Sequence, residues 1–452
     1  MKNIKLVYAV LLLSLTALWA IAEMPWAQSY DFRGLRAALI NYTGIIAIGA
    51  MSVGMILALR PVSVEPLLGG LDKSYRLHKW LGITALVVGI VHWLWADVPK
   101  WAADLGWRIG GPRPVRGAPP PLDNPFLQFF REQREFAEHI GEWAFYVAVV
   151  LIALALVKRF PYRHFFNTHR LIAIAYLVLV FHAVVLIKAP YWNTPVAWFM
   201  SLLALGGVVG AVMSLARRIG HQRRALGKVE AIERIRDNNV LKVDIRLDHD
   251  RWEGHEAGQF AFVDFNDGEG PHPYTISSGW KNDGLLHFHI KELGDYTSRL
   301  EQKLKLGMPA TVEGPYGCFN FESAKPHQIW IGGGIGITPF IARMEELAHR
   351  GGTQATSRHQ TVELFYSTRT PDEVFIDRLR DLAQAAQVNL HVIVSGRDGK
   401  LDAGRLVREV VTWKESSLWF CGPAGFGHAL KNGLGAHGFD GGDFHQELFD
   451  MR

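Results

Sequence analysis

The chain has 452 residues, a formal net charge of +5 and a hydrophobic fraction of 49%. Long apolar runs fill its first half, whereas the second half has the mixed composition of a soluble α/β protein. Much of the positive charge lies in short loops beside the apolar runs, which is typical of a membrane protein and not of a nucleic-acid-binding surface. Only Cys318 and Cys421 are cysteines, which excludes a disulfide framework and cysteine-rich iron–sulfur or zinc sites.

Six apolar segments predict a bundle of six membrane-spanning helices. They cover approximately residues 6–22, 35–59, 77–97, 140–157, 169–188 and 196–215. The first segment could instead be a secretory signal, because Ala20-Ile21-Ala22 resembles a cleavage site. Five spans starting outside would then remain, and the C-terminal half would lie on the same side in both cases. A polar, proline-rich connection is predicted from about residue 99 to 138.

The third and fifth spans each carry two histidines. His78 and His92 are fourteen positions apart, and His169 and His182 are thirteen apart. At 3.6 residues per turn, this spacing predicts that both histidines of a span lie near one face, roughly 20 Å apart. Two facing imidazoles can ligate a haem iron from both sides. A lone histidine is more often a packed or interfacial residue, but four with matched spacing favour two haem sites.

The distribution of Lys and Arg predicts the orientation of the spans. Basic clusters lie between spans two and three, between spans four and five, and after span six. All three fall on one side of the membrane, which the positive-inside rule assigns to the cytoplasm. Spans three and five then run in the same direction. We therefore expect His78 and His169 to pair near the inner face, and His92 and His182 near the outer face, with His139 and His164 as interfacial residues.

The pattern changes from about Gly227 to short alternating segments that predict an antiparallel β-barrel, with strands at 240–247 and 259–265. Residues 272–278 (H-P-Y-T-I-S-S) combine an aromatic ring with hydroxyl groups, which can lie against an isoalloxazine ring and bond its polar edge. Residues 289–298 are predicted to form a turn that opens a helix. Such a turn suits a pyrophosphate at the helix N-terminus.

A second soluble unit begins after residue 317. A strand at 328–331 leads into the Gly-rich segment 332–340, which opens a helix reaching about His349. Later strands at 362–367, 390–395 and 418–421 alternate with helices, which predicts a parallel α/β sheet. A Gly-rich turn between strand and helix suits a dinucleotide phosphate, and a second such turn follows Cys421 at the same sheet edge. The predicted domains are therefore 1–222, 223–324 and 325–452.

These residues together carry a family resemblance. The C-terminal half resembles the ferredoxin–NADP reductase superfamily in its 272–278 segment, its 332–339 turn and its Cys421-Gly422-Pro423 turn. With the four spaced histidines in front, the chain resembles a compact bacterial member of the ferric reductase and NADPH oxidase transmembrane family. The resemblance implies a membrane α-helical bundle with two b-type haems, an antiparallel β-barrel flavin domain that binds FAD, and an α/β parallel-sheet domain that binds NADPH or NADH. Many soluble reductases have Arg where this chain has His272, which weakens any predicted charge clamp on the flavin pyrophosphate.

The site residues that the motifs and the resemblance imply fall into four sets. The haem ligands are His78, His92, His169 and His182. The flavin set is His272, Pro273, Tyr274, Thr275, Ser277, Ser278, His289, Lys291, Gly294, Tyr296 and Thr297. The nicotinamide-nucleotide set is Gly332, Gly333, Gly334, Gly336, Thr338, Pro339, Arg369, Cys421, Gly422 and Pro423, with Arg369 (or Arg397) suited to a 2′-phosphate. The catalytic pair is Cys421 and Phe449, where Phe449 (alternatively Phe444) would shield the flavin ring.

The resemblance implies electron transfer across a membrane. NAD(P)H would give a hydride to FAD, and single electrons would pass through the inner and outer haems to an acceptor outside. Oxygen is the favoured acceptor, and a ferric chelate is the alternative. A haem redox subunit or sensor that passes electrons to a partner protein is a different interpretation. A reductase fused to an electron-inactive anchor is another. We expect a multi-pass protein of the bacterial inner membrane, in contact with lipid, with both soluble domains in the cytoplasm and no nucleic-acid partner.

Overall fold

The computed structural model describes residues 2–25, 31–107, 125–157, 159–235, 239–248, 251–351 and 360–447. The chain divides into two compact units, the first covering Met1–Val64 with Lys73–Ile219 and the second covering Glu65–Asp72 with Gly220–Met451. The short segment Glu65–Asp72 therefore groups with the C-terminal unit, although it lies in the sequence between two predicted spans. Nothing in the sequence pattern predicted this grouping.

The first half of the chain is helical. Its helices are α1 (Lys2–Glu23), α2 (Phe32–Ala58), α3 (Glu65–Leu68), α4 (Leu71–Asp104), α5 (Pro125–Glu132), α6 (Arg134–Leu156), α7 (Tyr162–Leu186) and α8 (Pro195–Leu215). Among the described residues, six of them (α1, α2, α4, α6, α7 and α8) are long and apolar enough to cross a membrane. This agrees with the six predicted spans.

Helix α1 packs against other helices of its unit. The Tyr8 hydroxyl bonds Thr84 Oγ1 of α4 at 2.6 Å, and Thr16 Oγ1 bonds the Tyr42 hydroxyl of α2 at 3.1 Å. The Leu15 side chain is fully buried. These contacts are the ones that a membrane span would make, and they support the span interpretation of the first apolar run.

Helix α4 continues five residues past Pro99, so the prediction that a polar connection begins there is wrong. Proline has no backbone N–H, so it cannot donate to the carbonyl of Trp95 one turn earlier. The Arg36 side chain of α2 supplies the missing donor, because its Nε bonds the Trp95 carbonyl at 2.9 Å. Its Nη2 also bonds the Ala96 carbonyl at 2.6 Å. The helix can therefore extend through the proline with its carbonyls satisfied.

The second unit opens with a six-stranded antiparallel sheet. Its strands are β1 (Arg224–Ile235), β2 (Val240–Leu247), β3 (Phe260–Asp264), β4 (His272–Thr275), β5 (Leu285–Lys291) and β6 (Pro309–Tyr316), with the short helix α9 (Leu300–Lys303) before β6. They pair in the order β4-β3-β6-β1-β2-β5. An isolated bridge between Ile276 and Phe288 connects the two ends of this order. Full closure into a barrel stays a prediction.

The remainder of the unit is a five-stranded parallel sheet with helices. Its elements are β7 (His327–Gly333), α10 (Thr338–Arg350), β8 (Thr361–Thr368), α11 (Glu373–Ala386), β9 (Asn389–Val394), α12 (Ala403–Glu409), β10 (Ser416–Cys421), α13 (Ala424–Ala436) and β11 (Phe444–Gln446). The strand order is β11-β10-β7-β8-β9. Alternate residues of the central strands enter different cores: Trp330 and Trp419 pack with α10 and α11, whereas Ile331 and Phe420 pack with α12 and α13.

Replacing Arg36 by Ala should destabilise the protein because it removes both donors to the α4 carbonyls. Hydrogen bonds from a charged group are worth about 1.5–3 kcal/mol each. Pro99→Ala restores a backbone N–H at that position, so it should stabilise the Arg36→Ala protein more than it stabilises wild type. The thermal midpoints of the four detergent-solubilised proteins form a double-mutant cycle. Purely additive effects would contradict the assigned role of Arg36.

Candidate functional site

The structure brings the four spaced histidines together as two facing pairs. The ring centroids of His78 and His169 are 5.8 Å apart, and those of His92 and His182 are 6.4 Å apart. The two ring planes of a pair cross at 65° and 75°, respectively. Because the earlier histidine of α4 pairs with the earlier histidine of α7, the two helices run parallel. These are the pairs that the sequence predicted.

Three of these imidazoles are held by backbone carbonyls through Nδ1. His78 bonds the Gly54 carbonyl at 2.9 Å, His92 bonds the Ile40 carbonyl at 3.0 Å, and His182 bonds the Ala137 carbonyl at 2.8 Å. A carbonyl oxygen can only accept, so Nδ1 must carry the proton and Nε2 keeps its lone pair. Metal-ligating histidines are commonly oriented in this way.

Helix α2 holds both histidines of α4. Its Ile40 and Gly54 carbonyls are fourteen positions apart, which is the spacing of His92 and His78. The two helices therefore run antiparallel and keep one register across four turns. Sequence analysis missed this role, because a carbonyl acceptor leaves no side-chain signature.

The glycine at position 141 leaves room for the His182 ring. A Cβ atom at Gly141 of α6, one turn after Ala137, would lie 2.0 Å from His182 Nδ1. No side chain fits at that distance, so only glycine lets α6 approach the His182 ring this closely. At Gly54 the corresponding Cβ would lie 3.8 Å from His78 Nδ1, which is ordinary contact.

His169 is held differently from the other three. Its ring stacks on Phe165 with centroids 5.0 Å apart and planes at 22°. Its Nδ1 atom is buried and has no hydrogen-bond partner within the described parts of the chain. Stacking, and not a carbonyl, therefore orients this imidazole.

The two pairs fit an iron ligated from both sides. A metal about 2 Å from each of two facing ring nitrogens places the ring centroids about 6 Å apart, close to both observed separations. No group of three or more His, Cys, Asp or Glu side chains that could hold a metal ion occurs in the described ranges. Two imidazoles alone are a suitable donor set for a haem iron, because the porphyrin supplies the remaining ligands.

In the flavin segment, the His272 ring stacks on Tyr296 at a centroid distance of 4.4 Å with the planes at 15°. The His272 Nδ1 atom bonds the Gly270 carbonyl at 3.0 Å. Burial lowers the pKa of His272, so this imidazole is neutral near pH 7. A neutral ring provides no charge clamp for a pyrophosphate, in agreement with the difference from arginine noted in the sequence.

Five further residues of the flavin segment have structural partners. Strand β4 pairs with β3, which places Pro273 opposite Phe262. Tyr274 and Thr275 lie on the same strand. The Ser277 and Ser278 hydroxyls accept hydrogen bonds of 3.2 Å from the backbone N–H groups of residues 289 and 287, respectively. The Ser277 hydroxyl itself donates to the Thr275 carbonyl at 3.5 Å. Contact of this segment with a flavin stays a prediction.

The Thr297 side chain closes the turn at residues 293–297. Thr297 Oγ1 accepts from the N–H groups of Leu293 at 2.9 Å and Gly294 at 3.2 Å. The helix that follows, α9, has only four residues. The predicted pyrophosphate site at a helix N-terminus therefore has little helix dipole to support it.

His289 and Lys291 face the Gly-rich turn of the parallel sheet. They line one cleft together with Gly334, Thr338 and Tyr366. A Cβ at Gly334 would lie 3.8 Å from Lys291 Nζ. Burial lowers the pKa of His289 to about 4, so this imidazole is neutral, and its Nδ1 has no hydrogen-bond partner among the described residues. The cleft therefore offers one cation and one neutral imidazole beside the turn.

The two Gly-rich turns meet at the carboxyl edge of the parallel sheet. Gly332, at the end of β7, lies opposite Cys421, at the end of β10. The chain leaves β7 towards β8 on one side and later returns to β10 on the other, which makes this edge a topological switch point where α/β proteins bind ligands. A Cβ at Gly336 would lie 2.1 Å from the Cys421 carbonyl oxygen, and one at Gly333 would lie 2.9 Å from Pro423.

Helix α10 and Gly422 complete this edge. Helix α10 begins at Thr338, with Pro339 in its first turn, where a missing N–H has no cost. Gly422 lies directly after β10, and a Cβ there would lie 3.1 Å from the Gly333 backbone. The predicted nucleotide turns are thus adjacent in space.

The Cys421 thiol is fully buried. Burial raises its pKa well above the usual value, and the nearby Glu447 carboxylate raises it further, so the thiol is protonated. Sequence analysis missed Glu447, which is buried and two positions before the predicted ring-shielding residue Phe449. Phe449 lies outside the described residues. The alternative Phe444 is committed to the core, stacked on Phe420 at 6.4 Å.

The two arginines considered for a 2′-phosphate have different surroundings. Arg397 forms hydrogen bonds of 2.9 and 3.2 Å with Asp398, so its guanidinium group is already paired. Arg369 follows the end of β8, and no ion pair is found for it in the part of the chain that the structure describes. Of the two, Arg369 is the one with its guanidinium available.

Comparisons with known proteins agree with this arrangement. Residues 43–180 match the family model described as a ferric reductase like transmembrane component, and residues 226–320 match the FAD-binding domain model. The chain is 26% identical over 211 residues to the glycine betaine monooxygenase reductase subunit of Chromohalobacter salexigens, covering 43% of this chain and 56% of that protein. It is 30% identical over 178 residues to the vanillate O-demethylase oxidoreductase of a Pseudomonas species, covering 38% and 53%, respectively.

A third relative extends over more of the chain. Dual oxidase 2 of Sus scrofa is 23% identical over 362 residues, which is 71% of this chain and 21% of that protein. The chain spans about half the length of the two reductases, and the match to the oxidase is longer than the C-terminal unit alone could supply. The membrane and flavin matches occur in one chain, which therefore joins a ferric-reductase-like membrane component to an FAD-binding domain and is an oxidoreductase.

Proposed function

We propose that this protein moves electrons from NAD(P)H across the membrane, through FAD and two bis-histidine haems, to oxygen on the outer side. Residues 1–222 would form the haem domain, 223–324 the FAD domain and 325–452 the NAD(P)H domain. The observation that carries the proposal is the pair of facing imidazoles repeated along α4 and α7. A structural role for the histidines would not require two such pairs.

The bound cofactors would supply the redox chemistry, since a flavin takes a hydride and releases single electrons that bis-histidine haems can relay. The chain's own residues position those cofactors. His78 and His169 would hold the inner iron, and His92 and His182 the outer iron. The carbonyl partners of three of the rings fix Nε2 as the ligating atom before any iron binds.

The nicotinamide nucleotide would bind across the switch point between β7 and β10. The amides at the start of α10 suit its pyrophosphate. Lys291 lies beside that turn and would add a positive charge. Arg369 supports NADPH over NADH, because a guanidinium fork matches a 2′-phosphate.

The orientation follows from the basic loops. Lys and Arg cluster in the sequence after α2, between α6 and α7, and after α8. Under the positive-inside rule, these loops and the C-terminal half would lie on the cytoplasmic side of a bacterial inner membrane. The inner pair is then His78 with His169.

Three candidate acceptors are supported by different observations. The similarity to a dual oxidase over 71% of the chain supports oxygen, with superoxide as the product. The match of residues 43–180 to the ferric reductase like model supports a ferric chelate as the second candidate. A partner protein is the third candidate, because one relative is named as a reductase subunit.

The proposal is tested by anaerobic visible spectroscopy of the purified full-length protein. Addition of NADPH should produce the bands of reduced bis-histidine haem, and admission of air should remove them with formation of superoxide. Bands that persist in air but vanish with a ferric chelate would identify a metalloreductase. Bands that persist with both would point to a partner protein. Absence of NADPH-driven haem reduction would contradict the proposal.

Replacing Gly141 by Ala should disturb the outer haem. The new methyl group would overlap the His182 ring, so α6 or the imidazole has to move and ligation through Nε2 is lost. The expected result is one haem per chain in place of two, measured by haem absorbance per protein. The matched control is Gly54→Ala, which should retain both haems because its methyl group lies at ordinary contact distance from His78. Equal haem contents in the two variants would contradict the assigned role of Gly141.

Replacing Arg369 by Ala should weaken NADPH selectively. Loss of a guanidinium–phosphate contact costs about 1.5–3 kcal/mol, or roughly a tenfold to hundredfold rise in KM for NADPH. The KM for NADH, which lacks the 2′-phosphate, should stay unchanged. Arg397→Ala serves as the control, since that side chain is paired with Asp398. Equal changes for both nucleotides would refute the assignment.

A further inference from the structure

Helix α2 holds His92 through two groups, a backbone carbonyl and a side chain. The His92 Nδ1 atom lies 3.0 Å from the Ile40 carbonyl oxygen and 3.1 Å from Thr43 Oγ1. Thr43 is buried, with an exposure of 6%. None of the other three paired imidazoles has a side-chain partner at Nδ1 within the described parts of the chain. Thr43 therefore distinguishes one ring of the outer pair from the other rings.

The Thr43 hydroxyl accepts a hydrogen bond from His92 and does not donate one to it. Its single proton goes to the Leu39 carbonyl, one turn earlier in α2, at 2.7 Å. The Ile40 carbonyl can only accept, so the ring proton is on Nδ1. The Nδ1–H group is shared between the Ile40 carbonyl and the Thr43 oxygen as a three-centre hydrogen bond. His92 thus has two acceptors at the nitrogen that would not bind iron.

A threonine in a membrane helix commonly bonds a carbonyl of its own helix or a hydroxyl of a neighbouring helix. Thr84 of α4 is such a residue, because its Oγ1 donates to the Trp80 carbonyl at 2.9 Å and bonds the Tyr8 hydroxyl at 2.6 Å. Thr43 makes the same bond within its helix, but its oxygen also faces an imidazole. Valine has the shape of threonine, so the packing of α2 does not require this hydroxyl, whereas the contact with the ring does.

Hydrogen bonds at Nδ1 change the strength of an imidazole as a ligand. An acceptor draws the Nδ1 proton away from the ring, which makes Nε2 a stronger electron donor. A stronger donor stabilises oxidised iron over reduced iron and so lowers the reduction potential of the site. The second acceptor at His92 should therefore add to the effect of the first.

We propose that Thr43 is a positioning residue that acts through His92, where its hydroxyl fixes the ring and lowers the reduction potential of the outer haem. The inference rests on the proposed function, because it requires an iron between the rings of the outer pair. In the transfer that Thr43 influences, the outer iron loses one electron and the acceptor outside gains it. Thr43 itself exchanges neither an electron nor a proton. A lower potential at this iron increases the driving force for reduction of the acceptor.

The test compares Thr43→Val and Thr43→Ser with wild type, each as the full-length protein in detergent. Valine keeps the shape and removes the acceptor, whereas serine keeps the hydroxyl. The haem content per chain is measured first. The potentials of both haems are then measured by spectroelectrochemistry with redox mediators, without NADPH. Thr84→Val is the matched control, because it makes the same change in the same bundle at a threonine with no imidazole partner among the described residues.

Thr43→Val should keep two haems, since His92 retains its bond to the Ile40 carbonyl. One of its two potentials should rise by about 30–60 mV, which is a roughly threefold to tenfold change in the reduction equilibrium of a one-electron couple. A change of this size is expected for the loss of one hydrogen bond. The other potential should stay unchanged. Thr43→Ser and Thr84→Val should both have wild-type potentials.

Should Thr43→Val bind fewer than two haems, Thr43→Ala carries the same expectation, because its smaller side chain also lacks the acceptor. The inference would be overturned by unchanged potentials in Thr43→Val, by an equal rise of both potentials, or by the same rise in Thr43→Ser or Thr84→Val. Loss of a haem from both Thr43→Val and Thr43→Ala would also overturn it. In that case the hydroxyl would be needed for iron to bind, and not for the potential of the bound iron.

Failure of the proposed function gives a different result. A wild-type protein whose two haems are reduced by dithionite but not by NADPH would contradict the proposed electron path. The potentials of the Thr43 variants would still decide the inference. A wild-type protein without haem would contradict both.

Discussion

The hydrogen bond from a histidine Nδ1 to a backbone carbonyl is the interaction on which the proposed electron path depends. An imidazole can ligate iron through either nitrogen, and the nitrogen that carries the proton cannot be the ligand. The carbonyls of Gly54, Ile40 and Ala137 remove that choice for three of the four rings. They also explain why α2 and α6, which carry no haem-ligand candidate, must pack tightly against α4 and α7. Because α6 packs so closely on the His182 ring, position 141 has to be glycine.

The C-terminal half forms its proposed nucleotide site mainly from backbone geometry. A dinucleotide requires amides at a helix start and an open crevice above a parallel sheet. The strand order places the ends of β7 and β10 side by side, and glycine at 333 and 336 lets the two turns touch. The buried, protonated Cys421 thiol and Glu447 lie next to this crevice.

Much of the architecture was predictable because it follows from periodic patterns. Six long apolar runs gave six helices, and the strand at 240–247 was placed to the residue. The histidine pairs followed from the spacing within each span and from the predicted common direction of spans three and five. Pro99 misled the prediction because its effect on α4 is cancelled by Arg36, a side chain 63 positions earlier in the sequence. The carbonyl partners of the histidines, Glu447 and the grouping of Glu65–Asp72 were not predictable, because they depend on contacts between residues distant in sequence.

The central claim is that each facing histidine pair holds one haem. The most direct measurement is the amount of haem per chain in the purified full-length protein, obtained from the absorbance of the extracted pyridine complex and the protein concentration. The account predicts two haems per chain in wild type and one in His182→Leu. A wild-type protein without haem, or a His182→Leu protein that retains two, would contradict it.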